Sequence, residues 1–136
     1  WYLPFRDSIA DDYFSTRWFV SQYYQRTGIR VRGVKELIKS GDPEVVIALF
    51  DEFGENMARF IYPWIRQFQP DIIVVGGNIS KAWNLIKPSF DAYLMIREIQ
   101  VNVVTSGLMV DAAISGSARL NDTNFWESVV HDLPVQ

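Results

Sequence analysis

Residues 70–80 read Pro-Asp-Ile-Ile-Val-Val-Gly-Gly-Asn-Ile-Ser, and this stretch decides the fold. The run Ile72-Ile73-Val74-Val75 is β-branched throughout, is too short for a core helix and has no polar alternation, so it reads as a strand buried on both faces. Strands of that kind belong to parallel sheets. Gly76 and Gly77 then stand at the carboxyl end of the strand, where open α/β sheets bind their ligands, and Ser80 is positioned to cap a helix beginning just after it.

Working outward, the residues on the amino-terminal side are helical in pattern. Asp42-Pro43-Glu44 combines a side-chain acceptor, a proline suited to the first turn and an acid at the positive end of the dipole. A long helix is predicted from there to Phe68. Its buried stripe is Val46, Leu49, Phe50, Phe53, Met57, Phe60, Ile61, Trp64, Ile65 and Phe68, at three-four spacing. Pro63 inside it predicts a kink. Upstream, Ile9, Tyr13, Phe14, Trp18 and Phe19 predict a helix from Asp7 to about Arg26 with Gly28 as its stop, and Val34, Leu37 and Ile38 mark a short second one ending at Ser40-Gly41.

On the carboxyl side, residues 80–96 are helical in pattern despite Pro88. Ile99, Val101 and Val103 then alternate with Gln100 and Asn102 as a second strand. Strand, helix and strand at this spacing form a βαβ unit with parallel strands and a right-handed crossover. A last helix, Asp111 to Leu120, gathers the small residues Ala112, Ala113, Ser115, Gly116, Ser117 and Ala118; residues 121–136 read as a loosely packed tail. The predicted class is α/β with long flanking helices and a partial sheet, in one domain over 1–136. Two strands cannot cover so much apolar helix, so further strands or another chain are expected to complete the sheet.

Composition narrows the function classes. The chain has 136 residues, 49% hydrophobic and 15% aromatic, which suits a folded domain. A formal net charge of −3 gives no basic footprint for nucleic acid. There is no cysteine, which excludes disulfides and thiolate metal sites, and there is no signal peptide or spanning run, so a cytoplasmic protein is expected. The first residue is Trp1, which suggests a processed chain, an excised domain or part of something longer.

The order Gly-Asp-Pro-Glu, long helix, Pro-Asp-Ile-Ile-Val-Val-Gly-Gly-Asn-Ile-Ser, second strand, and Asp-Ala-Ala-Ile-Ser-Gly-Ser-Ala-Arg-Leu resembles the carboxyl-terminal half of ROK proteins, bacterial sugar kinases and sugar-responsive repressors. The likeness covers roughly residues 40–120, with Ser15 in matching surroundings upstream. It implies a ribonuclease H-like fold of the actin-like ATPase and sugar-kinase type, of which this chain is the carboxyl-terminal, nucleotide-side lobe. It implies ATP with Mg, with Gly76, Gly77 and Asn78 lining the adenosine and phosphate side and Gly116 providing close packing behind them. Asn78 stands where the family more often has a third glycine. The family's phosphate motif, catalytic Asp segment and His and Cys zinc site match nothing here, so the sugar would be held by an amino-terminal half, and a homo-oligomer is expected.

Three functions follow: the lobe of a glucokinase-like phosphotransferase, the effector domain of a transcriptional regulator, or a non-catalytic interaction module of the same fold. Nucleic acid is a partner only if a helix-turn-helix precedes this segment. The remaining titratable residues read as surface. Asp11-Asp12 and Asp51-Glu52 are sequence neighbours that diverge on a helix, His131 has Asp132 beside it and no identified partners, and Arg17, Arg30, Arg32 and Arg119 are solvated charges. The aromatic stretch Tyr13 to Tyr24 reads mostly as core.

Overall fold

The computed structural model describes residues 2–107, 111–119 and 121–129. Among the described residues the fold is mixed α/β, dominated by helices, with two small two-stranded sheets. An antiparallel hairpin, β1 (Pro4–Phe5) and β2 (Ser8–Ile9), opens the chain. It is followed by α1 (Ala10–Tyr13), α2 (Thr16–Thr27), α3 (Val34–Ser40) and α4 (Pro43–Phe68). Strand β3 (Ile72–Val75), a 3₁₀ turn (Asn78–Ala82), α5 (Trp83–Met95) and β4 (Asn102–Thr105) form the βαβ unit, and α6 (Asp111–Arg119) and α7 (Thr123–Val129) follow it.

The long helix forms as its start signal predicts. Asp42 takes hydrogen bonds from the backbone N–H of Glu44 (3.0 Å) and of Val45 (3.1 Å), and Pro43 occupies the first turn, where its missing N–H costs nothing. Its buried face supplies Leu49, Phe50, Phe53 and Ile65, and the helix runs unbroken through Pro63. Trp64 and Phe68, placed in the stripe from the sequence, stack on each other at 6.2 Å on the solvent side instead. Phe19 stacks on Phe53 at 4.7 Å and meets Phe50 at 4.8 Å, so the aromatic segment of α2 is core, as expected.

Helices α4 and α5 make the main packing contact, and Gly54 is what lets them meet. A Cβ there would lie less than 3.0 Å from the Ile86 carbonyl and the Ser89 hydroxyl, and 3.2 Å from the Phe90 nitrogen. Only hydrogen fits that crossing.

Several sequence expectations are corrected. Residues 7–9 are not helical: Arg6, at φ 53°, turns the chain into the β1–β2 hairpin, and α1 and α2 are separated at Phe14-Ser15. β3 is not buried on both faces. Ile73 and Val75 pack on the core, whereas Ile72 is 47% and Val74 59% exposed, because among the described residues the core covers one side of the pair only. The second strand begins at Asn102, not Ile99; Ile99 and Val101 still pack against the core. The parallel pairing itself is observed, with Ile73 opposite Val103 and Val75 opposite Thr105. Asp122 starts α7 inside the segment read as tail, accepting from the Phe125 N–H at 3.2 Å. Leu120 and His131 lie outside the described residues.

Candidate functional site

The site candidate is the turn that follows β3. A hydrogen bond of 2.8 Å from the Ser106 N–H to the Val75 carbonyl extends the strand pairing to the glycines, so both strands end together there. Gly76 has ordinary backbone geometry, and a Cβ on it would meet only the Ser106 Cβ at 3.9 Å. Gly77 differs. Its φ of 69° and ψ of −166° lie in a region that is essentially glycine's alone, and a Cβ there would point into open space.

The chain then tightens into the 3₁₀ turn. Ser80 is buried, and its hydroxyl donates to the Gly77 carbonyl at 2.7 Å. This corrects its reading as a helix cap: the oxygen pins the turn as a donor and does not accept from the first N–H groups of α5. Asn78 turns its side-chain oxygen to Lys81 Nζ at 3.2 Å.

A cleft of about 290 Å³ opens beside this turn, between it and the start of α2. Gly76, Asn78 and Ile79 form one side, and Phe14, Ser15, Thr16 and Phe19 the other. Ser15, singled out upstream by its surroundings, thus meets the glycine turn about sixty residues further on. It occupies the position before α2 without capping it, and its hydroxyl oxygen is buried with no hydrogen-bond partner. Gly77 and Gly116 do not line the cleft. Gly116 sits on the exposed α6, and a Cβ there would meet nothing within 4 Å, so the close packing expected of it is not observed among the described residues.

Electrostatics at the cleft are backbone electrostatics. Among the described residues its lining contains neither carboxylate nor cation. What it offers an anion is the amino end of α2 and of the 3₁₀ turn, where N–H groups point outward. Among the described residues no three His, Cys, Asp or Glu come together as a metal group, so Mg finds no ligand set in them. A larger cleft, about 760 Å³, lies around Pro70, Asp71 and Asn102 at the amino ends of the strands. The small cleft is the better candidate despite its size, because ligands of open parallel sheets sit at the carboxyl ends.

The described residues read as surface charge are on the surface. Arg17 pairs with Asp11 at 2.5 Å, Arg119 with Asp122 at 3.1 Å, and Arg26 with Glu52 at 2.5 Å. Asp12 accepts from the Ser8 hydroxyl. Tyr13 donates to Asp7, an interaction no sequence signal marked; it lowers the carboxyl's pKa and raises that of the phenol, which must lose its proton against a neighbouring charge.

No family model matches the chain, and no curated protein matches it. Among the described residues no helix is long and apolar enough to cross a membrane.

Proposed function

We propose that the chain is the nucleotide-side lobe of an ATP-dependent sugar kinase of the ROK type, with a ribonuclease H-like fold completed by an amino-terminal half. The observation that carries this reading is the glycine turn. At the carboxyl end of a parallel pair, Gly76 and Gly77 leave the backbone bare beside a cleft that also receives the start of α2. A phosphate or adenosine edge can approach bare backbone closely, and outward N–H groups favour its negative charge.

In phosphoryl transfer a protein mainly positions the nucleotide and neutralises charge. On this reading Gly76 and Asn78 hold the nucleotide's edge and the helix start at Ser15 faces its charge. The hydroxyl's proton goes to a carboxylate of the amino-terminal half. Mg would come with the nucleotide and be held from that half, since the described residues supply no ligand set for it.

Separate calorimetric titrations with ATP, ADP and a panel of hexoses test the assignment. The expected result is nucleotide binding without hexose binding, and no sugar phosphorylation by this chain alone. Hexose binding without nucleotide binding would overturn the kinase reading in favour of a sugar-sensing effector domain. Binding of neither would leave an interaction module.

A further inference from the structure

Two adjacent stretches of sequence carry opposite charge, and the fold sets them side by side. Residues 26–39 contain Arg26, Arg30, Arg32, Lys35 and Lys39 against the single acid Glu36. Residues 42–55 contain Asp42, Glu44, Asp51, Glu52 and Glu55 and no cation. The first block is the end of α2, the following loop and α3; the second is the first half of α4. Within one copy, the ion pair from Arg26 to Glu52 at 2.5 Å joins the blocks, and Glu52 lines the same groove as Asp51 and Glu55.

Both blocks carry exposed apolar side chains. On the cationic side Ile29 is 57% exposed, and Arg30 lies over the ring of the exposed Tyr24 at 5.0 Å. On the anionic side Ile47 is 62% exposed and stands one turn before Asp51 and two before Glu55 on the solvent face of α4. Asp51 and Glu55 form one wall of a groove of about 590 Å³, with Tyr93 of α5 and Ile96 just beyond its end on the other. The Arg97 guanidinium sits over the Tyr93 ring, 3.5 Å from its centroid, and also lines that groove.

A surface with a cationic half and an anionic half, each with apolar residues among its charges, complements itself about a two-fold axis. We propose that this face is an interface between two copies of the chain, in which the Ile29 to Arg32 corner of each copy docks on the Ile47, Asp51 and Glu55 wall of the other. Two-fold contacts are isologous, so both complementary halves must lie on the same patch, and the Arg26–Glu52 pair joins them here. The apolar groups supply the buried area and the charges set register and orientation. The inference stands apart from the nucleotide reading, because the glycine turn takes no part in it.

The test is a charge-reversal pair. Sedimentation equilibrium of the chain over a micromolar to near-millimolar series is expected to show a dimer that weakens as salt is raised. Variant one, Asp51→Lys with Glu55→Lys, and variant two, Arg30→Glu with Arg32→Glu, should each weaken dimerisation by tenfold or more. Mixed in equal amounts they should form a heterodimer, since each altered half then meets its complement in the other chain. Circular dichroism melts of each variant identify the folded ones, and the mixing experiment itself requires both to be folded. Should a reversal unfold the chain, Ile47→Glu alone, read by the same sedimentation series, replaces it. A monomer throughout, or a dimer indifferent to the substitutions, overturns the proposal.

Discussion

The sharpest test of the fold uses the same substitution at two helical glycines. Gly54→Ala puts a methyl within 3.0 Å of the Ile86 carbonyl and the Ser89 hydroxyl. The serine can rotate away, but the carbonyl is helix backbone, so α4 and α5 must separate along their main contact. Overpacking of this kind costs about 1–3 kcal/mol, and the backbone obstacle puts Gly54 at the upper end. Replacing glycine by alanine in a helix returns about 1 kcal/mol, leaving a net loss of about 2 kcal/mol. For a chain of this length that corresponds to a fall in Tm of roughly 6–10 °C. Gly116→Ala meets no atom within 4 Å, so only the propensity gain of about 0.4–1 kcal/mol remains, and stability should hold or rise. Thermal melts followed by circular dichroism compare the two. Equal stability of Gly54→Ala and wild type would refute the close crossing; a clear loss at Gly116 would refute the open helix face.

Two further predictions concern the start of the long helix and the amino-terminal hairpin. Asp42→Ala removes the acceptor for two N–H groups at the start of α4 and should cost about 1 kcal/mol in urea denaturation, with Asp42→Asn recovering most of it. Tyr13→Phe should flatten stability at both pH extremes. The depressed Asp7 contributes stability above its unfolded pKa and loses it as pH falls through the lowered folded value, while the raised Tyr13 contributes below its unfolded pKa and loses it as pH rises through the folded one. Denaturation midpoints across both limbs check this; a wild-type profile in the variant would contradict it.

What could be read in the sequence was local and what could not was tertiary. Asp42-Pro43-Glu44 announces α4 because a cap is satisfied within three residues, and the parallel pairing of β3 and β4 follows from the crossover length. Exposure of Ile72 and Val74 was not legible, since an apolar run declares that a face wants cover and not whether cover is there. The hairpin was hidden because residues 7–9 fit a helical period that the positive φ of Arg6 overrides. α7 had a signal, the capping acid Asp122, lost among weakly patterned neighbours. At the site, the sequence marked Gly76, Gly77 and Asn78 correctly as one turn. It assigned Gly116 a packing role for which no described residue comes within 4 Å of where a Cβ would lie, and it left Ser15 as a surrounding detail although Ser15 faces the turn across the cleft.

The two glycines also separate conformation from contact, which makes one of them the right probe. Any residue with a Cβ at Gly77 is strained by about 1–3 kcal/mol whether or not a nucleotide binds, so a loss of affinity there is ambiguous. Gly76→Ala is not strained, because its φ is ordinary and the added methyl finds only the Ser106 Cβ at 3.9 Å. The decisive measurement is therefore calorimetric titration of ATP into the wild-type chain and into Gly76→Ala, with melting temperatures recorded for both. The account predicts unchanged melting and ATP affinity reduced by more than tenfold, a loss above about 1.4 kcal/mol, because the methyl occupies the nucleotide's path along the backbone. Equal affinity for ATP in the two folded proteins would contradict it and leave Gly76-Gly77 as a turn between strand and helix.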